Sequence, residues 1–204
     1  MQNQLKLYPV WSNFIYFIAA LYAFFIGMNT KIRLKCFSFL VYAIIILLTG
    51  IFSIVYHLNT PSWTNNQYVN NSKKFKKWLM MDQIFAIVLL FYSFFFLIFR
   101  IGQFYYTSKI SKSFLTWFKK LPLWRDGNFY LSLLFIVLSL VFYLIASNHN
   151  HDASECQHMN CFHNNLDAYD IFHSNWHIFT SIALLFWITL IHHSYAWQTS
   201  FQAR

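Results

Sequence analysis

Charge is scarce in this 204-residue chain: 10% of its residues are Asp, Glu, Lys or Arg, against about a quarter in an ordinary soluble domain. With 58% hydrophobic residues, 23% aromatic residues and 25 phenylalanines, it cannot cover itself with polar surface in water. Lipid is therefore the expected solvent for much of it, and a soluble enzyme or binding module is excluded. Acidic residues are fewer still, six against fifteen Lys and Arg, for a formal charge of +9. In a soluble protein that excess would suggest nucleic acid. Here the cations sit in short stretches between apolar runs, where they set orientation and touch anionic lipid, so no nucleic-acid partner is expected. No internal repeat is present. The first apolar run lacks a small-residue cleavage site and is long enough to span, so it reads as the first crossing and not as a cleaved signal.

Five apolar stretches reach the roughly 20 residues needed to cross a hydrocarbon core: residues 10–28, 35–57, 78–99, 129–147 and 168–195. Each must be a helix, because backbone amides in lipid have no other local way to bond. The expected fold is an all-α, polytopic transmembrane bundle forming one domain over 1–204. Residues from about 104 to 121 behave differently. On a helical wheel Ile110, Phe114, Trp117, Phe118 and Leu121 share one face, while Lys109, Lys112, Thr116, Lys119 and Lys120 share the other. That pattern fits an amphipathic helix lying in the membrane interface and stopped by Pro122; a disordered basic loop is the alternative.

With five spans, Lys31, Arg33, Lys35, Arg100, Lys109, Lys112, Lys119, Lys120, Arg125 and Arg204 fall on one side, and Lys6, Lys73, Lys74, Lys76 and Lys77 on the other. The majority side is expected to be cytoplasmic, with the N-terminus outside or lumenal and the C-terminus cytoplasmic. The stretch 148–167 then lies outside as a loop. It has no Lys or Arg but carries Asp152, Glu155, Cys156 and Cys161, which suits an extracytoplasmic face.

Polar residues within spans are costly and are functional candidates by default. GIFSIVYHL (50–58) places Ser53 and His57 four apart near the end of the second span. WLMMDQIF (78–85) puts Asp82 about one turn into the third, and DIFHSNWHIFT (170–180) puts His173 and His177 four apart at the start of the fifth. In a five-span chain all three places belong to the same leaflet; one additional crossing at 101–121 would send the histidine pair to the other face. Three neutral imidazoles suit Zn²⁺ and leave a fourth position for water, whose pKa zinc lowers toward about 7. Asp82 would accept or relay a proton and Ser53 would hydrogen-bond the water or a developing oxyanion. Taken singly, each motif has a plainer reading: solvated histidines near a helix end, a serine bonding its own helix, an aspartate that caps or lines a pore.

These residues also carry a family resemblance. GIFSIVYHL, LMMDQI and FHSNWHIFT together resemble the Ser/His, Asp and His/His pattern of the alkaline ceramidase and adiponectin/progestin receptor superfamily of membrane hydrolases. FHSNWHIFT is similar to the final-helix motif of alkaline ceramidases. The 24 residues between His57 and Asp82 and the short chain look more like the myomaker group of that superfamily. The resemblance implies zinc held by His57, His173 and His177, a catalytic water held by Asp82 and Ser53, and amide hydrolysis in a lipid such as a ceramide. It departs in having five spans where the superfamily generally has seven. The missing pair falls between the third and fourth spans, which preserves parity but removes part of the wall around a lipid pocket. A membrane-remodelling or receptor-like protein with a structural zinc site is the alternative, and a homo-oligomer is compatible with either. An ion pathway fits less well, since the inner halves of the spans offer no matching polar track.

The remaining motifs are less specific. HNHDASECQHMNCFHNN (149–165) holds His149, His151, His158, His163, Cys156 and Cys161. It fits a Cys156–Cys161 disulfide, free thiols among solvated histidines, or a second metal site. Asp167 and Asp170 are expected to cap the fifth span, Asp170 with a further option of orienting His173. His192 and His193 lie about 22 Å beyond His177 along a helix and read as interfacial. Cys36 reads as a packing residue, and Trp11, Trp78, Trp124, Tyr195 and Trp197 as interface anchors.

Overall fold

The computed structural model describes residues 8–30, 32–59, 72–107, 121–155 and 162–202. They form six α-helices and one short 3-10 turn: α1 (Tyr8–Ser12), α2 (Phe14–Met28), α3 (Arg33–Asn59), α4 (Ser72–Thr107), the turn Pro122–Arg125, α5 (Gly127–Glu155) and α6 (Phe162–Gln202). Helices α1 and α2 make one bent span. At the bend the Asn13 amide bonds the Val10 carbonyl at 3.2 Å, and the Tyr16 amide bonds the Asn13 carbonyl at 3.1 Å. Those three-residue steps tighten the backbone without breaking the helical course. Five segments, Val10–Met28, Arg33–Leu58, Lys77–Tyr106, Gly127–Ala146 and Ile171–Ala196, are long and apolar enough to cross a membrane. The fold is thus a helical bundle of the multi-pass membrane kind.

Helices outrun the apolar stretches that announce them. Hydropathy marks the part that meets lipid, whereas Lys, Glu and Gln continue a helix into water at little cost. Helix α4 begins at Ser72 and runs to Thr107, so 104–107 belong to the third span and not to a separate interfacial helix. The rest of that expected element, 108–120, lies outside the described residues. The expected loop 148–167 is likewise mostly helix: α5 continues to Glu155 and α6 starts at Phe162. Asp167 and Asp170 therefore sit inside α6 and do not cap its N-terminus. The capping seen is at α5, where Asp126 Oδ1 accepts from the Asn128 amide at 2.9 Å. Cys156, Cys161 and His158 lie outside the described residues, as do the side chains of His149, His151 and His163.

Helix α6 is the hub, touching α1, α2, α4 and α5, while α3 packs between α2 and α4. Small residues let α2 and α3 approach closely: Ala19, Ala20, Ala23 and Gly27 are buried on α2, facing Phe39, Ala43, Ile46 and Gly50 of α3. A Cβ on Gly27 would stand 3.3 Å from Phe39 Cβ, and one on Gly50 would stand 3.0 Å from Tyr16 Cβ. Helix α5 shows a seam of period 3.5, with Ser132, Ser139 and Ala146 buried and Phe135 and Phe142 half-buried between them. Phe135 stacks on Phe179 and Phe186, and Phe142 on Phe179. Most of its other large apolar side chains are exposed, as suits a lipid-facing helix.

Single polar bonds pin the pairs that apolar packing leaves free to slide. Ser93 Oγ donates to the Leu89 carbonyl at 2.7 Å, so its 2.6 Å contact with Tyr42 is donated by the tyrosine. The Ser93 carbonyl also accepts from Trp187 Nε1 at 3.1 Å, tying α3, α4 and α6 at one residue. Ser139 to Thr180 at 2.6 Å joins α5 to α6, and Tyr22 to Thr189 at 3.0 Å joins α2 to α6. Interhelical bonds of this kind stabilise a membrane bundle by about 0.6 kcal/mol each, up to about 1.7.

Candidate metal centre

The buried stripe of α3 runs through Ile46, Thr49, Gly50 and Ser53 to the half-buried His57. The α6 stripe begins with His173, Ser174, His177 and Ser181, all buried. Chain parity puts the end of α3 and the start of α6 on one side of the bundle, and there the three histidines meet. His57 Nε2 lies 3.4 Å from His177 Nε2, and His177 Nε2 lies 2.9 Å from His173 Nε2. The ring centroids are 4.6 to 5.5 Å apart. One ligand atom from each residue falls within 4.8 Å of the others, close enough to hold one metal ion.

The donor chemistry fits an ion. Three imidazole nitrogens aimed at one point cannot all satisfy one another by hydrogen bonds, since His177 Nε2 serves as donor or acceptor but not both. A cation resolves the conflict. Two nitrogens each about 2.0–2.1 Å from one tetrahedral ion stand about 3.3–3.4 Å apart, against 3.4 and 2.9 Å here. The remaining pair, His57 and His173, lies within 4.8 Å. One turn along each helix, Ser53 Oγ and Ser181 Oγ are buried without a hydrogen bond of ordinary geometry among the described residues, though Ser53 neighbours the Asp82 carboxyl and Ser181 the Tyr16 hydroxyl. His177 Nδ1 is also unpartnered, so this ligand lacks the outer acceptor that commonly orients a metal-bound imidazole. The Asp170 side chain, for which orienting His173 is the further option beside capping, lies outside the described residues.

Ser53 stands one helical turn before His57, and Asp82 approaches the centre through Ser53 and Tyr16 without being one of the residues whose ligand atoms converge. Asp82 is 7% exposed and Ser53 fully buried, and the Ser53 hydroxyl neighbours the Asp82 carboxyl from the adjacent helix, though without a hydrogen bond of ordinary geometry. One site residue was invisible in the sequence. Tyr16 of α2 is 3% exposed. Its hydroxyl lies beside Ser181 and Thr180 and within electrostatic reach of Asp82. Its ring meets His177 edge-on at 6.0 Å. Nothing in its local pattern separates it from the chain's other twelve tyrosines; only the Gly50 notch opposite marks it. Tyr56 and Trp176 complete an aromatic wall, with rings 4.7 Å from His57 and His177 respectively.

The other single residues settle simply. Trp11 is exposed and Trp78 and Trp124 are half-buried, while the Trp197 side chain lies outside the described residues. Tyr195 is no mere anchor, since Lys35 and Arg100 both lie over its ring. His192 packs edge-on to Phe39 at 6.4 Å, His193 contacts Asp126 at 3.0 Å, and Cys36 is half-buried as a free thiol. Compared with known proteins, the chain matches no family model, no curated protein and no solved structure.

Proposed function

We propose that the protein is an integral-membrane, zinc-dependent hydrolase that cleaves an amide bond in a lipid such as a ceramide. The observation that carries this reading is the convergence of three imidazole nitrogens from α3 and α6, with Ser53, neighbour of the buried Asp82 carboxyl, one turn before His57. Zinc suits three neutral imidazoles with a fourth position open; when bound it supplies Lewis acidity and brings the pKa of water down to about 7. The chain's own residues would do the rest. Asp82 would take the proton released as the nucleophile forms and pass it to the departing amine nitrogen as the amide C–N bond breaks, and Ser53 would donate a hydrogen bond to the carbonyl oxygen that gains charge. The apolar helices admit acyl chains laterally and keep bulk water out. The resemblance to the alkaline ceramidase and adiponectin/progestin receptor superfamily supports the same residues in the same roles. The ten-to-five bias of Lys and Arg supports a histidine end facing the lumen or exterior, with the end of α6 in the cytoplasm.

Purified protein should hold about one zinc per chain, as metal-analysis mass spectrometry would read, and His173→Ala or His177→Ala should lose it. Asp82→Ala should keep zinc while hydrolysis of a panel of ceramides and acylated amines falls about 100-fold or more. Full turnover in these variants ends the enzymatic reading. One observation favours a second reading, a structural zinc in a non-catalytic membrane-remodelling or receptor-like protein. Helices α3 and α6 approach through long side chains, Phe39 against Tyr195 and His192 at one end and the histidines at the other. A metal there would tie the two helices together. Chelation that lowers thermal stability, with no substrate consumed by the wild type, selects that reading.

A further inference from the structure

The end of the bundle away from the histidines gathers positive charge that no acid matches. Arg100, near the end of α4, is only 3% exposed, and Lys35, in the first turn of α3, is 8% exposed. Arg100 lays its guanidinium 3.4 Å over the Tyr195 ring, and Lys35 sets Nζ 4.6 Å from the same ring. Arg100 also donates from Nε to Ser194 Oγ and from Nη2 to the Ser194 carbonyl, both at 3.2 Å, and from Nη1 to Gln103. Those bonds engage three of the five N–H groups of a guanidinium. His192 adds a third basic group within electrostatic reach of Lys35.

Counter-charge is missing. Of the chain's six acids, Asp82 belongs to the histidine end. Asp152 and Glu155 close α5, and Asp167 and Asp170 open α6, at that same end. Only Asp126 shares the end with Lys35 and Arg100, and it is taken up by the α5 cap and by His193. Among the described residues neither Lys35 nor Arg100 pairs with a carboxylate. A cation at a membrane rim normally extends its head into water, whereas these two are drawn inward against one aromatic ring. Cation–π contact offsets only part of the desolvation.

Beside Arg100 and Tyr195, with Lys35 behind the shared ring contact, lies an open groove of about 600 Å³. Arg100, Gln103 and Tyr195 form its polar wall, and Leu34, Phe99 and Tyr106 its apolar rim. We infer that this groove binds the phosphate of an anionic lipid headgroup, with acyl chains running along the rim. The chemistry needed is a phosphate oxygen cluster to neutralise the Arg100–Lys35 pair, next to a surface that prefers hydrocarbon. A free phosphate offers the first feature and cannot use the second.

Full-length protein in neutral detergent micelles, titrated with phosphatidic acid, diacylglycerol or inorganic phosphate and read by native mass spectrometry, tests this. Phosphatidic acid should be retained and diacylglycerol lost. Lys35→Gln and Arg100→Gln should each weaken retention about five-fold or more, while the exposed Arg125→Gln should not. Inorganic phosphate displacing the lipid at equal concentration assigns the anion site to free phosphate. Undiminished retention in Lys35→Gln, or equal retention of diacylglycerol, overturns the proposal. Lys35→Gln decides if Arg100→Gln fails to fold, because among the described residues the lysine contributes a ring contact and no interhelical hydrogen bond. Zinc content and turnover have no part in this readout, so it stands or falls apart from the hydrolase reading.

Discussion

A phenol buried among apolar helices needs polar company, and Tyr16 finds it in Asp82, Thr180 and Ser181 while its ring leans on His177. Its hydroxyl lies within electrostatic reach of the Asp82 carboxyl, and its ring touches the histidine group. Removing that one oxygen separates orientation from packing. Tyr16→Phe keeps the ring in the Gly50 notch, so zinc content should be unchanged and stability should fall by only about 0.5–1.5 kcal/mol. If the hydroxyl positions Asp82, hydrolysis should drop several-fold with a displaced pH–rate profile. Unaltered rates and profile would assign Tyr16 to packing alone. At this scale the sequence was legible where residue type was unusual for its setting. Ser53, His57, Asp82, His173 and His177 stand out because hydrocarbon penalises them. Tyr16 and Tyr195 do not stand out, because tyrosine is ordinary in a span. The Lys35–Arg100 pair reads only as an orientation signal, since its shared ring at Tyr195 lies far along the chain from both residues.

Helix contacts are set by where small residues fall, and Gly50 and Gly102 make a controlled pair. A Cβ on Gly50 would stand 3.0 Å from Tyr16 Cβ, whereas one on Gly102 meets nothing within 4 Å. Gly50→Val should therefore push α2 from α3 and cost about 1–3 kcal/mol in stability, as for other overpacked cores. Gly102→Ala should be neutral or stabilising by up to about 1 kcal/mol, since alanine is the better helix former. Gly50 lies one and two turns before Ser53 and His57 on the same buried stripe. The valine variant should accordingly lose metal in proportion to its instability, which parallel thermal unfolding and metal analysis would show. Equal melting temperatures for the two variants would refute the close-approach argument. Helix existence was plain from apolar length, but helix ends were not. The lysines opening α4 and the polar residues opening α6 have helix-compatible backbones that hydropathy does not register. The expected loop and caps shifted for that reason.

Parity governs the whole molecule. Each crossing reverses the chain, so the end of α3, the start of α4 and the start of α6 share one face only if the number of crossings between them is even. The contact of His57 with His177 demands that count, and Arg100 against Ser194 demands it again at the other face. Helix α3 ends and α4 begins on the histidine side, whereas α4 ends on the Lys35–Arg100 side. If the cation excess faces the cytoplasm, a cysteine introduced by Ser62→Cys should react with a membrane-impermeant maleimide on intact cells or sealed right-side-out vesicles. One introduced by Ser113→Cys should react only after permeabilisation. Both backgrounds should carry Cys36, Cys156 and Cys161 as serine. The reverse labelling would invert the molecule and put the histidine centre in the cytoplasm. Labelling of both from one side would break the odd number of crossings, and with it the means by which three separate stretches of chain bring their polar residues to a common depth.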